Sequence, residues 1–569
     1  MGRPEKVRLG ELLVNQQLIT EDQLKLALDE QKRSGRKLGR VLIDSAYVTE
    51  EGISRALAKQ LNIPYIDLKY YNFSPDVTQL LPETQARRFR ALVVDDRDSV
   101  LRIAVVDPTD LFAYDELTRI LKRNIELVVV TESQLLANID RLYRRTDEIS
   151  GLAKELGAEL ADVPVDFGEI LGITPGLEEA PVVKLLQSVF EDAVQVRASD
   201  IHIEPQERSL RIRFRIDGML HVQTEADMRI ASALVLRLKL MSGLDISEKR
   251  LPQDGRFNIK IRGNAVDVRI SSLPTQYGES VVMRLLNQAT GLLALSKLGM
   301  PPRILERMRK AVHRPTGMVL VTGPTGSGKT TTLYATLNEI NTTEKKIITV
   351  EDPVEYRLAG INQVQVHDKI DLGFGRVLRA ALRQDPDVVL VGEMRDQVTA
   401  EIGMRAAMTG HMVLSTLHTN DAISTPIRLQ DMGVPRYMVA LSLQLVIAQR
   451  LVRIICESCA KPYAPQPQER QWLRNELGDQ VDAHRYMHGA GCAHCNGTGY
   501  LGRGGVYEML EMTDRVVEAA NQDDPAVFLQ AAREQMAGET LRRDAVRLVM
   551  QGRTTIDEAM RITNLSEEG

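Results

Sequence analysis

MVLVTGPTGSGKTTTLYATLNEI, residues 318 to 340, is the stretch on which the fold class turns. An apolar strand, MVLVT, runs straight into the loop GPTGSGKT (323 to 330) and then into a helical pattern, the context in which a glycine-rich loop cradles phosphates. Glycines at 323, 326 and 328 let backbone N–H groups turn inward around phosphate oxygens, with Pro324, Thr325 and Ser327 completing the loop. Lys329 neutralises β/γ charge, Thr330 supplies a Mg²⁺ ligand, and Thr331 follows it into the helix. Working outward, DVVLVGEMRD (387 to 396) is a buried strand ending in an acid, which makes Glu393 the candidate catalytic base. IITVEDPVEY (347 to 356) is another strand ending in acids, so Glu351, Asp352 and Glu355 are expected at the carboxyl edge, the ligand side of a parallel α/β sheet. In GHMVLSTLHTND (410 to 421), His418 at the strand end reads as a γ-phosphate sensor, while His411 at its start is as readily structural.

A chain of 569 residues is too long for one hydrophobic core, so several modules are expected. Lys plus Arg number 72 against 77 Asp plus Glu, a net charge of −5, which argues against a nucleic-acid polymer as partner. Aromatic residues make up only 4%, so base-stacking platforms are not expected either. No apolar run reaches the length of a membrane span, and MGRPEKVRLGELL lacks the apolar core of a secretory signal. The expected localisation is cytoplasmic.

The N-terminus holds an internal repeat. RLGELLVNQQLITEDQLKLALDEQ (8 to 31) recurs as KLGRVLIDSAYVTEEGISRALAKQ (37 to 60). Each copy predicts a short apolar helix (Leu12 and Leu13, then Val41 and Leu42), a break, and a second helix started by Thr20 or Thr49 and closed by Gln31 or Gln60. Gly10 and Gly39 offer a backbone on which a flat ligand could lie, Leu9 and Leu38 an apolar contact for bases, and Arg8, Lys37 and Arg40 charge for phosphates. Two similar copies suit a ligand with two similar halves; a helix-pair core is the plainer alternative.

The predicted layout is a helical repeat (1–70), a small α/β domain (71–145), an acidic, glycine- and proline-interrupted linker (146–180), an α/β domain (181–290), the P-loop core (291–455), a cysteine module (456–500) and a helical C-terminal region (501–569). All four cysteines lie in two C-x-x-C pairs, Cys456/Cys459 and Cys492/Cys495, the thiolate set of a closed tetrahedral Zn²⁺ site, with reactive thiols as the alternative. Residues 460 to 491 exceed the spacing of a compact zinc ribbon, so a helical insertion such as ERQWLRNELGD (469 to 479) must fill the gap, with Gly497 and Gly499 shaping the second knuckle.

GPTGSGKTTT, ITVEDPVEY, GEMRD and STLHTND, in that order, resemble the secretion-superfamily traffic ATPases that drive type II secretion and type IV pilus assembly, from about residue 180 to the C-terminus. The resemblance implies a RecA-like core, a homohexameric ring with ATP between that core and the preceding domain, a structural zinc, and peripheral attachment to an inner-membrane platform protein. It also gives meaning to Arg211, Arg213 and Arg215 on one strand face: with Arg213 and Arg215 foremost, they would meet a neighbour's γ-phosphate, Arg256 and Arg269 being lesser candidates. The repeat, together with QARRFRALVV and LYRRTDEI, resembles the cyclic di-GMP-binding N-terminal domain of mannose-sensitive haemagglutinin-type pilus ATPases. That implies contacts from Arg8, Leu9, Gly10 and Gln31 in one half-site and Lys37, Leu38, Gly39 and Arg40 in the other. Gln17 and Ala46 stand where that motif usually has Gly, Lys37 where it has Arg, and Ile53 where it has Leu.

Overall fold

The computed structural model describes residues 9–34, 38–97, 100–143, 146–162, 181–261, 263–287 and 293–563. Its largest sheet has seven strands in the order Asn362–Gln365, Ile347–Glu351, Val388–Val391, Met412–Leu417, Gly317–Thr322, Leu443–Ile455, Tyr500–Glu511. Every neighbouring pair is parallel except the last. Central strands covered by helices on both faces need no polar side, which is why they read as unbroken apolar runs. Val319, Val321, Leu414 and Ile447 pack on one face with the P-loop helix Lys329–Ile340; Leu320, Val391, Val413 and Val446 pack on the other with helix Gln397–Met408 and the C-terminal helices.

Two expected boundaries change here. The C-terminal region is not helical throughout, because Tyr500–Glu511 pairs with Leu443–Ile455 as the edge strand of the P-loop sheet. The cysteine module is therefore an excursion between two adjacent strands, and its helix Pro467–Leu477 fills the long gap as expected. Nor is all of 146–180 a linker. Thr146–Asp162 is a helix whose Ile149, Ala153 and Leu156 enter the core of the next domain, a period of three to four residues that supplies one apolar stripe. Residues 163–180 lie outside the described residues.

That next domain is a six-stranded antiparallel sheet, in the order Met219–Asp227, Ser209–Ile216, Asp200–Pro205, Gly278–Asn287, Asn264–Thr275, Gln253–Ile261, with helices Pro181–Gln195 and Ala231–Ser242 packed on it. Arg269 ties it to the P-loop core, pairing with Glu355 at 2.9 Å and donating to the Val354 carbonyl at 2.7 Å. Upstream, strands Ala91–Arg97, Val100–Val105 and Asn124–Val129 form the small sheet expected there, with helices Leu111–Leu121 and Glu132–Leu142.

The repeat folds as four helices, Leu9–Asn15, Glu21–Ser34, Leu38–Asp44 and Glu50–Leu61. Thr20 and Thr49 cap the long helices, accepting from the amides of Gln23 and Gly52 at 3.2 and 3.1 Å. Leu12, Leu13, Val41 and Leu42 are buried together. Gln31 does not close its helix, which runs on to Ser34. Glu50 anchors the unit to the small α/β domain by accepting from the Ser133 amide at 2.8 Å and hydroxyl at 2.6 Å.

Candidate nucleotide, metal and N-terminal sites

Four parallel strands end side by side, and each delivers one of the expected segments: the loop after Thr322, Glu351, Glu393 beyond Val391, and His418 beyond Leu417. Amide-to-carbonyl bonds lace these ends together, from Gly392 to Val350 (2.7 Å), Met394 to Thr416 (3.1 Å) and Gly323 to Leu417 (3.3 Å). In the loop, Gly323, Gly326 and Gly328 have φ of 145°, 79° and 88°, where a side chain is strained. A Cβ on Gly323 would also lie 2.4 Å from the Gln449 carbonyl oxygen. Pro324, Thr325 and Gly326 form the exposed tip, and Thr330 and Thr331 are exposed at the helix start, where the N-terminal dipole favours anions. Ser327 is buried with no hydrogen-bond partner for its hydroxyl. Lys329 curls over the loop, donating to the carbonyls of Gly323 (2.7 Å) and Pro324 (3.1 Å). Burial pulls its ammonium down to about 8, with Glu393 opposing and Arg450 adding to the shift.

Glu393 faces this loop with two partners: Arg395 on one carboxylate oxygen and His418 Nε2 at 3.5 Å from the other. Arg395 also reaches Asp352, at 3.6 Å. The geometry brings acid and imidazole together across two adjacent strand ends, so Glu393 and His418 are assembled where expected. Glu351 is not presented at the edge in that way. It is buried in a cage of Tyr334, the Thr349 hydroxyl (2.5 Å) and the Gln363 amide (3.2 Å), and so joins the P-loop helix to its own strand. His411 caps helix Gln397–Met408 through the Ala406 carbonyl, the structural alternative.

The arginine row differs from expectation. Strand pairing places carboxylates beside it: Arg213 forms two 2.7 Å bonds to Glu204, Arg211 meets Glu225 at 2.8 Å, and Arg215 lies 3.6 Å from Asp200. Their mutual repulsion is relieved within the chain, so it does not by itself demand an outside anion. Arg256 likewise pairs with Asp267.

The four cysteine sulfurs lie within 4.8 Å of one another, with Cys456–Cys492, Cys459–Cys495 and Cys492–Cys495 separations of 3.9, 3.8 and 3.7 Å. A tetrahedron with Zn–S arms of about 2.3 Å has edges of about 3.8 Å, so the residues fit that ion. Contact with the Cys456 thiol, helped by amides of Cys492 and Gly499 at 3.2 Å, holds Cys495 below the ordinary thiol range. Gly497 and Gly499 shape the second knuckle with φ of 76° and 77°.

In the repeat, the two Leu-Gly heads pack reciprocally. A Cβ on Gly10 would stand 3.4 Å from Leu38, and one on Gly39 would stand 3.4 Å from Leu9. Gly10 also faces the Leu24 side chain, whose Cδ1 would lie 2.6 Å from such a Cβ and would have to shift to admit one. Arg8 and Lys37 lie outside the described residues, and Arg40 is described for its backbone alone. Gln17 and Ala46, the positions at which glycine was expected, have left-handed φ of 57° and 55°.

Residues 176–561 match the type II/IV secretion system protein family. The chain belongs to that family. It is a secretion-family ATPase, of the kind that serves type IV pili or type II secretion. Residues 61–149 match the MshEN domain. This secretion-family ATPase is 41% identical to a type IV pilus assembly ATPase PilB of Myxococcus xanthus, over 97% of this chain and 98% of the relative. It is 42% identical to a type II secretion system protein E of Dickeya dadantii, over 86% and 98%. Among solved structures, the Legionella pneumophila ATPase DotB shares the fold, with a TM-score of 0.50 and 22% identity over 67% of this chain and 95% of that one. A structure described as MshE with cdg is 43% identical over 24% of this chain and 100% of that chain, with a TM-score of 0.23. Among the described residues, no helix of this secretion-family ATPase is long and apolar enough to cross a membrane.

The sequence reading missed Gln449. It sits on the neighbouring strand, donates to the Ser327 carbonyl at 2.8 Å and accepts from Thr332 at 2.7 Å, so it ties the second half of the loop to the first turn of the helix that follows. No spacing rule joins residues so far apart along the chain; the only signal is a polar Gln-Arg pair inside an apolar strand.

Proposed function

We propose that this chain is the motor that extends a type IV pilus of the mannose-sensitive haemagglutinin type, acting as a homohexamer gated by cyclic di-GMP. Lys329 and the loop amides hold the ATP phosphates. Thr330 is the ligand for Mg²⁺, which supplies charge neutralisation at the β and γ oxygens, and Glu393, oriented by His418, takes the proton of the attacking water. Arg213 or Arg215 reaches a neighbouring subunit's nucleotide only by exchanging its own carboxylate for the γ-phosphate. Zn²⁺ on Cys456, Cys459, Cys492 and Cys495 fixes the knuckles and takes no part in the chemistry, since a four-thiolate site leaves no open position. An inner-membrane platform protein receives the motion, and the ATPase stays peripheral to it.

The observation that carries the second-messenger reading is the reciprocal contact of the two Leu-Gly heads, Leu9 on Gly39 and Leu38 on Gly10. It brings the heads of the two copies together, in keeping with a ligand of two similar halves, and the adjoining MshEN match supports the reading. Calorimetric titration of the full-length protein with cyclic di-GMP tests it. Binding that weakens by about ten-fold or more in Arg8→Ala, the loss of one charge-assisted contact, is the expected result. No heat at tens of micromolar ligand overturns it and leaves a type II secretion ATPase whose N-terminal region only docks on the platform.

A further inference from the structure

Arg450 lies on strand Leu443–Ile455, just past the register in which Thr322 pairs with Ala448, and so directly beneath the P-loop. It is only 4% exposed. One guanidinium nitrogen donates to the Asn420 carbonyl at 2.6 Å, a second to the Gln449 carbonyl at 3.2 Å, and Nε has no partner. Among the described residues it makes no ion pair. The nearby carboxylates are engaged elsewhere: Glu508 accepts from the amides of Ala422 (2.8 Å) and Leu541 (3.0 Å), and Asp421 caps Ser424 at 2.6 Å. Glu508 and Asp421 attract this guanidinium through space without pairing with it, so the cost of its burial is offset only in part, and an anion at closer range would offset it further. The one anion-binding loop close by is the P-loop, where a Cβ on Gly323 would stand 3.1 Å from Arg450 Nη1. The same charge already acts on Lys329, lowering the affinity of its ammonium for a proton.

We infer that Arg450 is a positioning residue of the nucleotide site, a second fixed cation beneath the P-loop that becomes compensated when the triphosphate arrives. Through Asn420 it also holds the chain two residues beyond His418, so the anion on one side of Arg450 is coupled to the histidine segment on the other. It acts without touching the reacting atoms.

The test uses the full-length protein with ATP and Mg²⁺. In Arg450→Met, the dissociation constant for ATP and the KM rise together by about ten-fold or more, and the rise in Tm that ATP produces shrinks. Arg450→Lys, which keeps the charge, restores most of that affinity. A purely structural arginine gives the opposite pattern: a lower Tm without nucleotide, but unchanged ATP affinity and an unchanged ATP-induced rise, and that result overturns the inference. Should Arg450→Met fail to fold, Arg450→Gln, which keeps a donor for the Asn420 carbonyl while removing the charge, is judged by the same criterion.

Discussion

At Glu393 one carboxylate serves two partners, Arg395 on one oxygen and His418 on the other. Glu393→Gln keeps the shape of the group and removes its basicity. Turnover measured as phosphate release is expected to fall by about a hundred-fold or more while ATP affinity stays within about three-fold; Lys329→Ala instead loses affinity itself. Near-normal hydrolysis by Glu393→Gln would remove it as base. Glu393, Lys329 and His418 could be found in the sequence because each sits at the end of a recognisable apolar strand. Glu351 sits at such an end too, yet its carboxylate turns inward to Tyr334, a choice made by side chains on another element. The carboxylate beside Arg213 was hidden for the same reason, since Glu204 becomes its neighbour only through strand register. Gln17 and Ala46 give a second residue-scale prediction. A left-handed non-glycine residue costs about 1–2 kcal/mol, so Gln17→Gly and Ala46→Gly should each stabilise the four-helix unit by about 1 kcal/mol, read from its thermal transition in the full chain.

Among elements, the cysteine excursion is the most exposed to experiment. Its Trp472, Leu473 and Tyr486 belong to the same core as Val446 and the C-terminal helices, so the knuckles are not an independent appendage. Cys492→Ser should lower bound zinc well below one ion per chain by elemental analysis, and should destabilise the C-terminal helices by several kcal/mol in denaturant unfolding, since metal binding there is local folding energy. Full zinc occupancy in that variant would count against a four-thiolate site. The C-x-x-C spacing announced the cluster of four sulfurs. It gave no sign that Tyr500–Glu511 returns to the P-loop sheet, because an edge strand of a mixed sheet looks locally like any other short strand. Helix Thr146–Asp162 escaped for a different reason: glycines at 151 and 157 and a run of acids resemble a linker until Ile149, Ala153 and Leu156 find a partner surface.

Across the whole molecule, Arg269 binds the preceding domain to the Glu355 loop, while helix Thr146–Asp162, which follows the small α/β domain in the chain, enters the core of that preceding domain. A ligand can regulate such an assembly only by favouring one arrangement over another. The four-helix unit is where that leverage is greatest, because its apolar core is small and both of its breaks, at Gln17 and Ala46, are held in a disfavoured conformation. In the language of native-state hydrogen exchange, this unit should be the first to open, its amides exchanging well before those of strand Gly317–Thr322. A ligand spanning both repeats would slow that exchange, by the equivalent of about 2.7 kcal/mol at a hundred times its Kd, while the P-loop strand keeps its rate. On the proposed reading, the left-handed turns at Gln17 and Ala46 would make the unit a fuse, weak enough to be set by the concentration of a small molecule.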